Sequence, residues 1–238
     1  MLALKQALSL NTLKKTSGGA PWEPTDETSC EVWWENKEGI SLYGTPGDTD
    51  RVYGWVGLKY GGGGHLLMPH NAAESPTYDA ATGALTFDPS EDAHLSLPST
   101  QISLTGEFTI GMRLHVAAAG GIIIGDNTTA GEFVKLFSNS ILRVKIDNTL
   151  GDLELDSGTW FSDSYLVITR DSSNVLNLWW NGVEQGDTTT ISGTADIDTL
   201  GVRKTDLNPY DGSISEVQIF SSTSATLTAN VNARLASL

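Results

Sequence analysis

Residues 104–118, LTGEFTIGMRLHVAA, alternate apolar with small or polar side chains. Phe108, Ile110, Met112, Leu114 and Val116 fall on one side of an extended chain, and Thr109, Gly111, Arg113 and His115 on the other. Successive side chains of a strand point to opposite faces, so this run predicts a long strand with one face on a core and one toward water. That is the pattern of an antiparallel sheet, whose second face is free to meet solvent. The pattern recurs in LRVKI, where Leu142, Val144 and Ile146 oppose Arg143 and Lys145.

Further along, YLVITRDSSNVLNLWWNGV places two apolar runs around Asp171, Ser172, Ser173 and Asn174, and the second run stops at Asn181-Gly182. Asn-Gly tolerates the positive φ that a tight hairpin turn needs, so two hairpins in series are predicted. In the second, Leu176, Leu178 and Trp180 share one face and Val175, Asn177 and Trp179 the other, so Trp179 needs a cover of its own. The last clear strand is ISEVQIFSS, entered through Pro209-Tyr210-Asp211-Gly212, with Val217 and Ile219 toward the core.

The 238 residues suffice for one large sandwich, and the 25 glycines together with many Thr, Ser, Asn and Asp residues supply its turns. A net charge of -15 repels phosphate backbones and anionic lipid, which argues against nucleic acid and membrane surfaces as partners. A lone cysteine, Cys30, excludes an intramolecular disulfide framework and reads as a buried or idle thiol. No run of about 18 apolar residues occurs that could span a bilayer.

The first fifteen residues, MLALKQALSLNTLKK, place Lys14 and Lys15 after the leucines, unlike a signal peptide. They read as a retained arm, joined by a Gly- and Pro-containing linker at 16–29 to a domain over 30–238. Leu2, Leu4, Leu8, Leu10 and Leu13 either pack on their own domain or fray, or form a docking peptide that orders on a larger assembly. The GGGG run at 61–64 lacks a following Lys-Ser or Lys-Thr and is read as a loop with no phosphate-cradling role.

Five segments in order resemble the laminin G-like or concanavalin A-like jelly roll. They are GALTFDPSEDAHLSL at 83–97, LTGEFTIGMRL, the YLVITRDSSNVLNLWWNGV hairpin, the DTLG run and the closing NPYDGSISEVQIFSS strand, together covering about 76–222. Pro89 departs from the Gly usual at that turn, and 30–75 matches loosely, through Trp33-Trp34 and Pro76-Thr77-Tyr78-Asp79. The short leucine arm, early tryptophans and TANVNARLAS tail resemble structural proteins of tailed phages, marine ones in particular.

The resemblance implies an all-β, two-sheet antiparallel sandwich and directs the search for chemistry. Glycosidases of this fold use Glu-x-Asp-x-x-Glu, but here Glu154-Leu155-Asp156 is followed by Thr159 at the sixth position, so the second catalytic carboxylate is missing. His65, His70, His94 and His115 do not form His-Glu-x-x-His, and no Gly-x-Ser-x-Gly elbow occurs. A non-enzyme is expected. Some members of the family bind calcium through loop oxygens, for which Asp126, Asn127, Asp206, Asn208 and Asp211 are candidates, although such residues also serve turns. Trp33, Trp34, Trp179 and Tyr210 are the aromatics that a glycan or a partner subunit would meet.

The expectation is therefore a virion structural protein assembled in the host cytoplasm, a capsid decoration or fibre-associated module. Its leucine arm would anchor it to other virion proteins, with homo-oligomerisation expected. The alternative is a carbohydrate-binding adhesin recognising host glycans. No cofactor is required, calcium being optional.

Overall fold

The computed structural model describes residues 21–43, 50–62, 64–98, 101–127, 132–161, 163–203 and 208–238. The arm leucines Leu2, Leu4, Leu8, Leu10 and Leu13, and Asp206, lie outside the described residues.

The chain opens with β1 (Cys30–Trp34), β2 (Ile40–Leu42), β3 (Asp50–Val56), β4 (Leu66–Leu67), β5 (Thr77–Asp79) and β6 (Ala84–Phe87). There follow β7 (Leu95–Ser96), β8 (Ile102–Leu104), the long β9 (Phe108–Val116), β10 (Ile122–Gly125), β11 (Phe133–Leu136), β12 (Ile141–Ile146) and β13 (Thr149–Glu154). The last third supplies β14 (Asp163–Arg170), β15 (Val175–Trp180), β16 (Val183–Glu184), β17 (Thr189–Thr190), β18 (Ala195–Ile197), β19 (Thr199–Leu200), β20 (Gly212–Phe220) and the helix α1 (Ala225–Ala236). The large sheet runs β16-β15-β14-β9-β20-β6-β5-β3-β2, with β1 beside β20, β17 beside β15 and β4 beside β3. The smaller runs β13-β12-β11-β10-β19-β7, and β8 pairs β18. All these pairings are antiparallel, giving the two-sheet all-β sandwich the alternation predicted.

The alternation sorts residues into the core as expected. Phe108, Ile110, Met112, Leu114 and Val116 of β9 meet Leu142, Val144 and Ile146 of β12 and Leu176 and Leu178 of β15 in one buried cluster. Ile214, Val217 and Ile219 of β20 join them; a bulge between Ile214 and Glu216 opposite Arg113 resets the register. Both predicted hairpins form. Asp171 Oδ1 accepts from the backbone N–H groups of Ser173 and Val175, while Asn181 (φ 50) and Gly182 (φ 79) occupy the two positive-φ positions between β15 and β16. Pro89 starts a short 3-10 turn whose N-cap, Asp88, accepts from Ser90 N–H, a different solution to the turn where glycine is usual.

Three expectations change. The outer face of β9 is only partly in water, because α1 lies across it: a Cβ on Gly111 would stand 2.4 Å from Val231 Cγ1. The TANVNARLAS tail lies in this helix, N-capped by Ser224, whose Oγ accepts from Leu227 N–H. Finally, the C-terminal part of the 16–29 linker is seated. Trp22 packs 6.4 Å from Phe220, Pro24–Asp26 forms a 3-10 turn, and Ser29 Oγ accepts from Ser222 Oγ at 2.6 Å. Cys30 is buried with Trp33, Val167, Phe220, Leu227, Val231 and Leu235 in a second cluster outside the main core, and burial pushes its thiol up to about 12.

Candidate functional site: the groove over Trp179

Trp179 follows Leu178 on β15, and the strand period aims it away from the main core. Its cover is α1. Leu227, Val231 and Leu235, spaced four residues apart, form the apolar stripe of the helix and bury themselves with Trp33, Val167 and Phe220, leaving Trp179 partly buried at the margin. The far end of the helix is pinned by charge. Arg234 donates from Nε to Glu216 Oε1 at 3.0 Å and from Nη2 to Glu35 Oε1 at 3.0 Å, with its guanidinium 4.8 Å from the Trp33 ring.

Between the first turns of α1 and the β15–β16 hairpin runs an open groove of about 550 Å³ with Trp179 on its floor. Thr169 shares the floor, Thr228 and Asn232 stand on the helix wall, and Asp171 and Glu184 stand on the opposite side. Glu184 is the register partner of Trp179. Asn232 Nδ2 donates to Thr228 O at 2.9 Å, and its buried Oδ1 has no partner among the described residues. An indole beside hydroxyl, amide and carboxylate groups is the arrangement that holds a sugar, whose ring offers an apolar face and a rim of hydroxyls.

The other aromatic candidates are not platforms. Trp33 and Trp34 are 2% and 1% exposed, because β1 is covered on both faces, by α1 on one side and the main core on the other. Tyr210 is fully buried, its hydroxyl donating to His115 O at 2.7 Å and its ring 6.0 Å from that of Phe87.

Among the described residues, the calcium candidates Asp126, Asn127, Asn208 and Asp211 are not gathered at one point. Asp126 and Asn127 follow the C-terminal end of β10, whereas Asn208 accepts through its backbone oxygen from Ile122 N–H at the start of that strand. Four residues of strand, roughly 13 Å, lie between them. Asn208 Oδ1 accepts from Lys135 Nζ, and Asp211 O accepts from the N–H groups of Ala117 and Ala118. Asp126 meets Asp198 instead: Gln101 Nε2 donates to Asp126 Oδ1 at 2.9 Å and Asn127 N–H to Asp198 Oδ1 at 2.7 Å. Burial, with the Asp126 and Asp196 charges adding to it, pushes the Asp198 carboxyl up to about 6. No group of three or more His, Cys, Asp or Glu side chains that could hold a metal ion occurs among the described residues.

The incomplete glycosidase motif has structural work. Asp156 Oδ1 accepts from Gly186 N–H at 3.0 Å and Asp187 Oδ2 from Glu154 N–H at 2.9 Å, tying the end of β13 to the loop after β16. The sequence reading missed the helix wall, although Ser224 and the Leu227, Val231 and Leu235 spacing carried its signal.

Among solved structures, the CBM40 of the Ruminococcus gnavus IT-sialidase, bound to α2,3-sialyllactose, is 15% identical, covering 54% of this chain and 83% of its own with a TM-score of 0.43. The heptameric SAP-like pentraxin from Limulus polyphemus is 13% identical, covering 58% of this chain and 73% of its own, with a TM-score of 0.44. The binding domain of botulinum neurotoxin serotype D/C VPI 5993 is 13% identical and covers 90% of this chain, which spans 53% of that structure's chain, with a TM-score of 0.49. Likeness at this level carries no functional argument. No curated protein matches the sequence. The family Laminin_G_3, described as the concanavalin A-like lectin/glucanases superfamily, matches residues 89–229, more than half of the chain, and the chain therefore belongs to that superfamily.

Proposed function

We propose that the chain is a non-enzymatic, lectin-like domain that takes a neutral saccharide in the groove over Trp179. One observation carries the reading: a partly open indole forms the floor of a groove whose walls offer hydroxyl, amide and carboxylate groups. Asp171 and Glu184 accept from sugar hydroxyls and repel anionic sugars, which sets the preference for neutral ones. The test is a glycan array followed by calorimetry on the hits. Trp179→Ala should weaken binding at least about tenfold with the near-UV spectrum otherwise preserved, and Trp179→Phe should recover part of it. Equal binding by Trp179→Ala, or no neutral ligand on the array, would overturn the reading.

Display on a tailed-phage particle, as a decoration or fibre-associated oligomer, is the companion proposal. It is supported by the leucine spacing of Leu2, Leu4, Leu8, Leu10 and Leu13 and by the resemblance of the arm, the early tryptophans and the TANVNARLAS tail to such proteins. Deleting residues 1–20 should abolish incorporation into particles while leaving the melting of the domain unchanged; retained incorporation would refute it.

A further inference from the structure

At one end of the large sheet the outer face is apolar where water should meet it. A solvated sheet face normally carries polar side chains, yet the outward positions of β2, β3 and β4 and of the residue just past β2 are Ser41, Tyr43, Tyr53, Val56 and Leu66. A bulge brings this about. Ser41 pairs with Gly54 and Leu42 with Val52, so Tyr53 is the extra residue of β3. The insertion lets Val52 and Trp55, three positions apart, both reach the core, and it turns Tyr53 and Val56 outward together.

These side chains adjoin one another. The Tyr43 ring meets that of Tyr53 edge-on, 5.3 Å between centroids, and Tyr43 N–H donates to Arg51 O at 3.0 Å, which holds it beside β3. Val56 and Leu66 are register partners, and a Cβ on Gly54 would stand 2.9 Å from Leu66 Cδ1, so Leu66 lies over the bare glycine next to Tyr53. The two tyrosines, Val56 and Leu66 are between 38% and 48% exposed, and Leu58, also exposed, extends the patch two residues past Val56. By side-chain size the patch offers roughly 400 Å² of mostly apolar surface, comparable with the largest patch on an ordinary monomer.

We propose that this face pairs with the same face of a second copy of the chain across a two-fold axis. Three observations select a second copy as the occupant. Among the described residues β2 ends the large sheet, a position where proteins commonly place charges that keep copies apart, and none of the outward residues here is charged. Two such patches in contact, with their rims, bury about 1,000 Å², the lower bound of a specific interface, so self-pairing is sufficient but weak. The patch also lies at the end of the sheet, several strands from α1 on β9 and β14, so a two-fold axis through it sends the two bodies in opposite directions.

Apolar contact draws the copies together while the net charge of -15 on each drives them apart, so added salt strengthens the pair. The Trp179 groove lies at β15 and β16, the other end of the same sheet. Pairing does not depend on the reading of that groove and leaves it open in both copies.

The test is sedimentation velocity on the full chain from about 1 to 200 μM, where a monomer–dimer equilibrium with a Kd of roughly 1–100 μM is expected. It should tighten several-fold between about 50 and 300 mM salt. Tyr53→Glu and Leu66→Glu should each weaken it about tenfold or more while keeping the far-UV spectrum of the parent, and Trp179→Ala should leave it unchanged. A short bismaleimide should join Tyr53→Cys chains and leave Glu184→Cys chains single, since the native Cys30 is buried. A monomer throughout the range, a dimer undiminished in the folded variants, association that weakens with salt, or joining at Glu184→Cys in preference to Tyr53→Cys would overturn the proposal. So would a monomer whose Tyr53→Cys thiol resists maleimide, the sign that another segment of the same chain covers the patch.

Discussion

Gly111 is the seat of α1, and filling it should lift the helix. On the outer face of β9 a methyl group at this position would stand 2.4 Å from Val231 Cγ1 and 3.1 Å from Leu235 Cδ1. Ordinary carbon contacts lie near 3.5–4.0 Å, so the helix must retreat by about 1 Å or Val231 must leave its rotamer. Overpacking of this kind costs about 1–3 kcal/mol, and for a domain of this size 2 kcal/mol lowers the melting temperature by roughly 4–8 °C. Val231→Ala alone should also destabilise, by about 1.5 kcal/mol or more for its two lost methyl groups. Combined, the two changes should cost less than their sum, with a coupling of about 1 kcal/mol or more, since the methyl groups removed are those that collide. Urea unfolding of the four proteins measures the cycle. Strict additivity, or a Gly111→Ala variant as stable as the parent, would refute the account of how the helix is seated.

Other expectations follow from buried polar groups. Arg170, fully buried, donates to Gly106 O, Leu104 O and Gly193 O at 2.7–2.8 Å and lies 4.8 Å from the Phe108 ring centroid. Arg170→Met refills the stem but strands three carbonyls, so urea unfolding should show a loss of about 3 kcal/mol or more; an unshifted midpoint would refute this. The Asp198 carboxyl, raised to about 6, contributes stability that is full below about pH 4 and lost as the pH rises through 6. Asp198→Asn keeps an oxygen for Asn127 N–H and removes that fall, so it should be the more stable protein at pH 8 by about 1 kcal/mol once partial solvent access is discounted. Parallel stability profiles from pH 4 to 8 would count against it. Tyr210→Phe should cost about 1–2 kcal/mol, because His115 O loses its hydroxyl donor in a dry site; thermal melts decide.

Legibility in the sequence followed the reach of each signal. Alternation is local and assigned the inner faces of β9, β12 and β15 correctly; Asp171 and the Asn181-Gly182 pair placed both hairpins, since turn chemistry is local too. Trp33 and Trp34 resisted reading because adjacent strand residues point to opposite faces, and nothing in their vicinity tells that a helix from the end of the chain covers the outer one. Tyr210 sits in Asn-Pro-Tyr-Asp-Gly, which looks like an exposed turn, yet the hydroxyl reaches back to β9. Asp126 and Asn127 lie beyond one end of β10 and Asn208 bonds to its other end, a spacing set by sheet registration. Trp179 was recognised as a residue needing a cover, and that cover became one wall of its groove.

The second cluster joins the early and late parts of the chain. Ser29 and Ser222, 193 positions apart, are bonded directly, and β1 pairs along its length with β20. A nascent polypeptide therefore cannot complete this layer until residues 225–236 have left the ribosome, and until then Val167, and then Phe220, stay uncovered by the helix. Closure of so distant a pairing is slow, and the molecule is most exposed to sticky encounters during its synthesis, well before it meets any ligand.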